Sequence, residues 1–499
     1  MAYKHGIYGE AQASNYKSEE AVGTLPVYIG TLPIHRLNTT GAADFDYSDY
    51  INKPILVSSY KEVENLGIYS DDWETYTLCE VIYTHFMNGD DVISPIVLIN
   101  MFDPATAVGE TAVTKTVTVS KEGSSYVGYI DDPLCVIDDI VITAEIVISP
   151  DASGVSIDES NIVYTYDGDR VAFAIKSEDA ISSVTATYKA ISFKAEEIAV
   201  SDFKTAVNAV DYVEALTGKI PTILVAPSFS QVPAMHDVMI QKAIERAADK
   251  WYIICVSDIP ADETVNSVET AIAWKKENQY NSKHDKVCFP MVANGKKVFH
   301  LSTLTAFEMQ LTDFENGETP HISPSNRPIA AEKAVLKDGT VMLLMEREAN
   351  ELNKVGITTV NLIKQQIRLW GSHMSNYNFD TLSDIKPEDR FDASVRMMGY
   401  ILNYLQYNYI DEIDRTFSRK DIDSILNSVQ NWFDSLVNEG KLLYAEVSFD
   451  EASNTIEQLE NGDLTFDIKV TYGIITKSIT FRLQYTRAGI ITLLSGGEE

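Results

Sequence analysis

The sequence is poor in the residues from which reactive centres are built. Its 499 residues include only four cysteines, eight histidines and five tryptophans. Cys79, Cys135, Cys255 and Cys288 lie far apart, with no CxxC or Cys/His metal spacing. They are expected as small buried apolar residues in a reducing compartment. HExxH, GxSxG, GxGxxG and the GxxxxGK phosphate loop are all missing, so no zinc, nucleophile-elbow or nucleotide signature is present. Gly218-Lys219 runs into Ile220 without the upstream glycine that a phosphate cradle needs. No apolar run approaches the roughly 18 residues of a membrane helix. The opening MAYKHGIYGEAQASNYKSEE lacks the apolar stretch of a signal peptide, so a protein made and kept in the cytoplasm is expected. Positive charge is scarce as well: 40 Lys and Arg against 73 Asp and Glu leave a formal charge of −33. So acidic a chain repels nucleic acid and anionic membranes, and neither is expected as a partner.

What is present is a large apolar fraction, 45%, in a chain long enough for about three domains. Residues 1–24 read as an arm: a strand-like piece, Tyr3 to Tyr8, precedes a polar tether. LPVYIGTLP, NKPILVSSYKEVENL, YTLCEVIYTHFMNG and SPIVLINMF then alternate strand and helix, with Leu78, Ile82 and Phe86 on one helical face. From Pro104 to Val200 short β-branched runs are separated by Gly, Asp and Ser, which reads as an inserted antiparallel β domain. It carries sixteen acidic and six basic residues, a net of −10. The α/β pattern returns after it. Pro233 marks a helix start, and Ile240, Ile244, Ala247, Ala248 and Trp251 mark its expected buried stripe. Two helices follow: Phe391, Val395, Met398, Leu402, Leu405 and Tyr409 line the first. Ile422, Leu426, Val429, Phe433 and Leu436 line the second, between Ser418 and Gly440.

Few residues suggest chemistry. His35, His85 and His373 sit singly among apolar neighbours, where a structural role is expected. Ser228, Ser230 and Asp258 fall at strand carboxyl ends, where open α/β sheets bind ligands. No glycine-rich loop or base accompanies them, and Asp258 before Ile259-Pro260 is explained as a turn residue. Asp131-Asp132 and Asp138-Asp139 lack a calcium-loop pattern. No catalytic residue, metal site or cofactor is assigned, and the protein is not expected to be an enzyme.

The stretch LTFDIKVTYGIITKSITFRLQYTRAG, Leu464 to Gly489, carries two strictly alternating runs. Leu464, Phe466, Ile468, Val470 and Tyr472 share one face, and Ile479, Phe481, Leu483 and Tyr485 share another. This is the signature of half-buried strands, preceded by KLLYAEVSF and an Asn461-Gly462 turn.

In order along the chain, HGIYGE, LPVYIGTLP, NKPILVSSYKEVENLG, FMNG, SPIVLINMFDP, ILVAPSFSQVPAMHDVMIQKAIERAADKWYIICVSDIP, LNKVGI, IRLWG and RFDASVRMMGYI resemble the motifs of contractile tail sheath proteins of phages and phage-tail-like bacteriocins. The likeness spans nearly the whole chain. It departs after Gly371, where Ser372-His373-Met374 stand in place of the family's usual Arg-Thr. The resemblance implies a multidomain fold of α/β and α+β parts. An α/β core (25–103 and 201–375) would carry an inserted antiparallel β-sandwich-like domain (104–200). A C-terminal α+β domain (376–475) would face the tube, with strand-donating arms at 1–24 and 476–499. It further implies that Tyr3, His5, Ile7 and Tyr8, and Ile479, Phe481, Leu483 and Tyr485, add strands to neighbouring subunits. Leu443, Val447, Phe466, Ile468 and Val470 would build the receiving sheet. Arg415, Arg419 and Lys420 would be the tube-facing candidates, set against a solvated helix start.

By the same resemblance, copies would stack as hexameric rings around an inner tail tube protein, alongside baseplate and tail terminator proteins. They would be assembled in the bacterial cytoplasm and then reside in the virion tail or a released particle. A baseplate trigger would release the extended lattice and drive the tube through a target envelope. Two other readings remain: a tail, baseplate or surface binding module that uses the β insertion for recognition, and a cytosolic α/β enzyme.

Overall fold

Near-continuous apolar runs with no polar face become strands covered on both sides. The computed structural model describes residues 23–39, 45–146, 155–157, 159–178, 180–194, 197–487 and 489–490. The expected donor residues Tyr3, His5, Ile7 and Tyr8 lie outside the described residues. First come β1 (Pro26–Gly30), β2 (Pro54–Val57), helices α1 (Tyr60–Leu66) and α2 (Leu78–Phe86), and β3 (Ile96–Asn100). A short helix α3 (Pro104–Ala107) leads into β4 (Val108–Thr118), β5 (Ser120–Glu122), β6 (Ser125–Ile130) and β7 (Val141–Ile146). Then follow β8 (Val155–Ser156), β9 (Ile162–Asp167), β10 (Arg170–Lys176) and β11 (Ile181–Ile191). Helical alternation returns with α4 (Val200–Asn208), α5 (Val213–Thr217), β12 (Ile223–Val225), α6 (Pro233–Ala248), β13 (Ile254–Asp258), α7 (Val268–Glu277) and β14 (Asp285–Cys288).

A small sheet of β15 (Met291–Asn294), β16 (Lys297–Phe299) and β17 (Lys333–Val335) is interrupted in sequence by α8 (Leu301–Glu315). Helix α9 (Glu346–Lys354) precedes the hairpin β18 (Ile357–Ile363) and β19 (Gln366–Trp370). Last come α10 (Asp392–Asn408), α11 (Arg419–Asn438), β20 (Leu442–Ser448), α12 (Ile456–Asn461) and β21 (Asp467–Tyr472).

The main sheet has the order β19-β18-β14-β13-β12-β1-β3-β2 and is parallel except at its two edge strands. Alternate residues of β1 feed different cores: Tyr28 packs with α2 and α8, while Val27 and Ile29 pack with α4 and α6. This is the mixed α/β architecture expected. The insertion forms two antiparallel four-stranded sheets, β5-β6-β10-β9 and β4-β11-β7-β8. Their apolar faces, among them Ile130 and Phe173 on one and Val184 and Tyr188 on the other, share one core.

Two helical stripes differ from expectation. In α6 the buried face runs through Met235, Met239, Ile240 and Ala243, whereas Ile244 is exposed. Lys242 and Arg246 turn inward instead and pair with Asp211, burying their stems. In α10 Leu402 is exposed, and the helix is buried on nearly all sides through its first half. The reason is tertiary: Val395 enters the main core, while Met397, Tyr400 and Ile401 enter a separate C-terminal core. Gly399 permits that crossing, since a Cβ there would lie 2.5 Å from the Tyr252 ring. Asn403 clasps Tyr252, accepting from its N–H at 2.6 Å and donating to its carbonyl at 3.0 Å.

Charges buried at this junction are paired. Lys286 of β14 and Asp392 at the start of α10 are both fully buried and 2.8 Å apart. Lys286 also donates to the Gly371 carbonyl, and Ser323 donates to Asp392. Removing one partner strands the other charge without water. Asp392→Ala is therefore expected to lower stability by roughly 3–5 kcal/mol in urea unfolding followed by tryptophan fluorescence. A loss below about 1 kcal/mol would show that the pair does not anchor α10.

Candidate strand-exchange site

Helix α11 begins with a capping box, in which the Ser418 hydroxyl and then its N–H, at 2.5 and 2.8 Å, donate to Asp421 and hold that carboxyl below its usual range. Its apolar stripe is as expected, with Val429, Phe433 and Leu436 buried and Ile422 and Leu426 half-buried. Trp432 stacks on Tyr404 of α10, ring centres 3.9 Å apart. Against this face lie Leu442, Ala445 and Val447 of β20 and Ile468, Val470 and Tyr472 of β21.

β20 and β21 form an antiparallel sheet of two strands. The register shifts between Leu442 and Tyr444, so Leu443 is the extra residue of a bulge and is 53% exposed. Leu442, rather than the expected Leu443, therefore faces the helix. Phe466 packs on Phe449, ring centres 5.3 Å apart, just ahead of β21. Asn461-Gly462 is not a hairpin turn. Gly462, at φ +88°, caps α12, which sits between the two strands.

Two side-chain amides engage this sheet's backbone, and the sequence pattern gave no signal for either. Gln430 of α11 donates to the Ala445 carbonyl and accepts from the Val447 N–H, both at 3.2 Å. Asn454 accepts from the Thr465 N–H at 2.7 Å and donates to its carbonyl at 2.8 Å.

Beyond Tyr472 the second alternating run makes no strand in the single chain: residues 473–486 carry no helix or ladder. Ile479, Phe481, Leu483 and Tyr485 are 71, 91, 101 and 77% exposed. A period-two apolar face is the pattern of a strand that pairs at a sheet edge, and among the described residues this segment lies on no strand. Just before it, Lys477 lies 5.2 Å from the Phe379 ring centre and donates to the Tyr377 hydroxyl at 3.3 Å.

The basic cluster is exposed and largely neutralised nearby. Arg415 pairs with Glu412 at 2.7 Å and Arg419 with Asp423 at 3.0 Å. The candidate catalytic residues are built into the core instead. Asp258, buried and pushed up to about 6 by burial, accepts from the Ser302 N–H at the start of α8. Ser230 accepts from the Asp258 N–H, and Ser228, at φ +69°, faces His300. His300 is itself held by Glu80 at 2.7 Å. Asp258 thus serves as a helix cap within a closed network rather than a turn residue beside a crevice. Asp132 accepts from Tyr188 and Asp138 from Asn38. Among the described residues no three His, Cys, Asp or Glu side chains gather as a metal site, and no helix is long and apolar enough to cross a membrane. The four cysteines are buried and free, as expected.

Searches for similarity identify the architecture. No protein-family model matches the chain. Its fold is that of the contractile tail sheath proteins. A chain of the cryo-EM structure of the anti-feeding prophage baseplate superposes with TM-score 0.56, covering 97% of this chain and 100% of that one at 12% identity. The sheath of an extracellular contractile injection system, PVC, in its contracted state gives 0.54, with 98% and 99% covered at 12% identity. The crystal structure of a sheath tail protein from Desulfitobacterium hafniense gives 0.50, with 89% and 94% covered at 12% identity.

Among curated proteins, a tail sheath protein of Burkholderia phage BcepMu is 25% identical over 304 residues, 59% of this chain and 61% of the relative. A protein of Pseudomonas aeruginosa strain UCBPP-PA14, named as a prophage major tail sheath protein, is 25% identical over 277 residues, 53% of this chain and 65% of the relative. The chain thus spans under two thirds of either relative's length. The resemblance read from the sequence motifs is borne out.

His373 occupies the position where the motif departs. It is stacked between Tyr377 and Phe391, with no hydrogen-bond partner on either ring nitrogen. Burial, then Lys286 and Lys477, hold it down to about 3. Below pH 6.5 the unfolded chain takes up this proton and the folded chain does not, so the group's contribution to stability falls as pH falls. His373→Phe keeps the stack and removes the titration. Between pH 7 and 4 the variant should gain roughly 3 kcal/mol relative to the parent, read by urea unfolding at each pH. Parallel pH curves would refute the assignment.

Proposed function

We propose that this protein is the structural subunit of a contractile tail sheath. Copies polymerise around an inner tail tube in an extended, metastable lattice and contract on baseplate triggering to drive the tube through a target envelope. The observation that carries the reading is the juxtaposition of an open two-stranded sheet with an exposed alternating apolar row on one chain. Each is what the other lacks, and among the described residues both are left unsatisfied.

In this reading Ile479, Phe481, Leu483 and Tyr485 enter a sheet of a neighbouring copy, built on β20 and β21 and including Val447, Phe466, Ile468 and Val470. Tyr3, His5, Ile7 and Tyr8 form the second donor. The rings are hexameric. Partners are further copies, the tube protein, the baseplate and the tail terminator; assembly takes place in the bacterial cytoplasm, and no membrane insertion, nucleic acid, cofactor or catalysis is involved. The energy is stored in conformation. The inserted β domain, with its net charge of −10, faces outward. A recognition module centred on that insertion would leave the exposed row after Gly473 unexplained.

Replacing Phe481 and Leu483 by Asp touches no packed surface, so monomer stability should change by less than about 0.5 kcal/mol. Electron microscopy of the purified parent should show long hollow cylinders, and of this variant none; cylinders formed by the variant would remove the donor role. Arg419→Glu with Lys420→Glu tests the tube-facing role of the Arg415, Arg419 and Lys420 cluster. It should leave cylinders intact and reduce co-sedimentation with tube protein several-fold, and unchanged co-sedimentation would refute that nomination.

A further inference from the structure

The inserted β domain is joined to the α/β core by its backbone at one layer only. Its first strand, β4, and its last, β11, both belong to the sheet β4-β11-β7-β8. The chain enters and leaves side by side there, with the Ser192 N–H donating to the Ala107 carbonyl at 2.8 Å. The other sheet, β5-β6-β10-β9, has no ladder to the main sheet among the described residues. Stacked sheets lie roughly 10 Å apart, so a neck through one layer leaves the other as a lever. Relative motion is the default for a domain attached in this way.

One turn ties that second layer down. Asp167 pairs with Arg170, so β9 and β10 are joined by Gly168 and Asp169 alone, with Gly168 at φ +60° as so tight a hairpin requires. The Asp169 carboxylate enters a socket of the α/β core, on the link between α1 and α2. It accepts from Arg36 at 2.8 Å, from the Ser70 hydroxyl at 2.5 Å and from the Asp71 N–H at 2.8 Å. Burial by itself raises this carboxyl, but the bonds from Ser70, Asp71 and Arg36 outweigh it and hold the group below its usual range.

Arg36 is the other half of the contact. It lies in the helical turn Ile34–Leu37 that follows β1 and is 2% exposed. Its guanidinium also donates to the Tyr69 carbonyl of the core at 2.8 Å and to the Pro133 carbonyl of the insertion at 3.2 Å. A planar fork of donors can hold two bodies at once, which a point charge on a flexible stem does poorly. Two residues on, Asn38 donates to Asp138 of the insertion at 3.0 Å. The Asp169 side chain stays 36% exposed, so water stands ready to take its place when the contact opens.

We propose that Arg36 and Asp169 form a latch that holds the free layer of the insertion against the α/β core, and that releasing it turns the insertion into a module hinged at Ala107 and Ser192. With the latch shut, whatever meets the insertion meets a surface fixed relative to the main sheet. With it open, the same surface is presented over a range of angles. This inference does not depend on how copies of the chain assemble.

The four cysteines are buried, so nitroxide labels can be confined to Lys61→Cys on α1 and Thr165→Cys on β9, both exposed positions. Pulsed dipolar spectroscopy of the dilute full chain then reads the distance between core and insertion. One narrow distribution is expected with no further change, and also with Asp167→Ala, which cuts only the exposed pair with Arg170. Asp169→Ala should broaden it several-fold while the Phe173 and Ile175 amides of β10 keep their protection from hydrogen exchange. A narrow distribution in Asp169→Ala would overturn the latch, as would a broad one without it. Loss of β10 protection in that variant would show that the turn builds the insertion rather than fastening it, and would overturn the latch too. On the unaltered protein the Asp71 amide, which Asp169 holds, should exchange roughly 10-fold or more faster than that of Phe173, because the latch opens before the sandwich does. Equal rates would make contact and fold one unit and refute the hinge.

Discussion

An unpaired strand edge in water is tolerable only while something else can satisfy it, and the C-terminal third of this molecule is organised around that fact. β21 ends a sheet of two strands, and residues 473–486 extend past it with their apolar row in solvent. Isolated two-stranded sheets are marginal, and this one is stable because α11 covers one of its faces. The other requirement, an edge partner, is not met among the described residues.

The energetics of that pairing are finely divided. Burying four side chains such as Ile479, Phe481, Leu483 and Tyr485 gains roughly 6–12 kcal/mol. Ordering the seven residues that carry them costs about 7–14 kcal/mol, so the two nearly cancel. The balance falls to the edge hydrogen bonds, at about 0.5–1.5 kcal/mol each. One donated strand is therefore a weak tether, and many held in register along a polymer make a strong lattice. A charge of −33 per subunit adds repulsion that such pairings must exceed, and salt screens it.

Much of this was legible in the sequence, and the failures have local causes. Period-two alternation located β21 and the run after it, and the motif order identified the fold. Alternation marked the second run as strand-like, but it lies on no strand among the described residues. The α10 stripe misled because the helix is clasped from several sides by Tyr252, the main core and the C-terminal core. The outward turn of Leu443 within β20 comes from a bulge, which shifts facing by one residue without any signal in composition. Asn461-Gly462 looked like a hairpin turn because the left-handed residue that ends a helix and the one that tightens a turn are chemically alike. Gln430 and Asn454 were invisible for a simpler reason: a polar side chain on a half-exposed face looks the same in sequence whether or not it meets a backbone.

Rigidity is distributed to match. α10 joins the strand-exchange unit to the main sheet through Lys286–Asp392, and Arg396 and Thr24 meet on Asp313. Thr24 is where the chain emerges from its first twenty-odd residues, so the strut that carries the C-terminal sheet also fixes the root of the N-terminal segment. β21 packs on α11, α11 stacks on α10 through Trp432 and Tyr404, and α10 is tied to the main sheet. Buried ion pairs suit that junction because their geometry is directional and breaking one leaves an uncompensated charge. The molecule thus places its stiff, directional contacts where α10 meets the main sheet, so that the C-terminal sheet is held to the α/β core by a rigid strut.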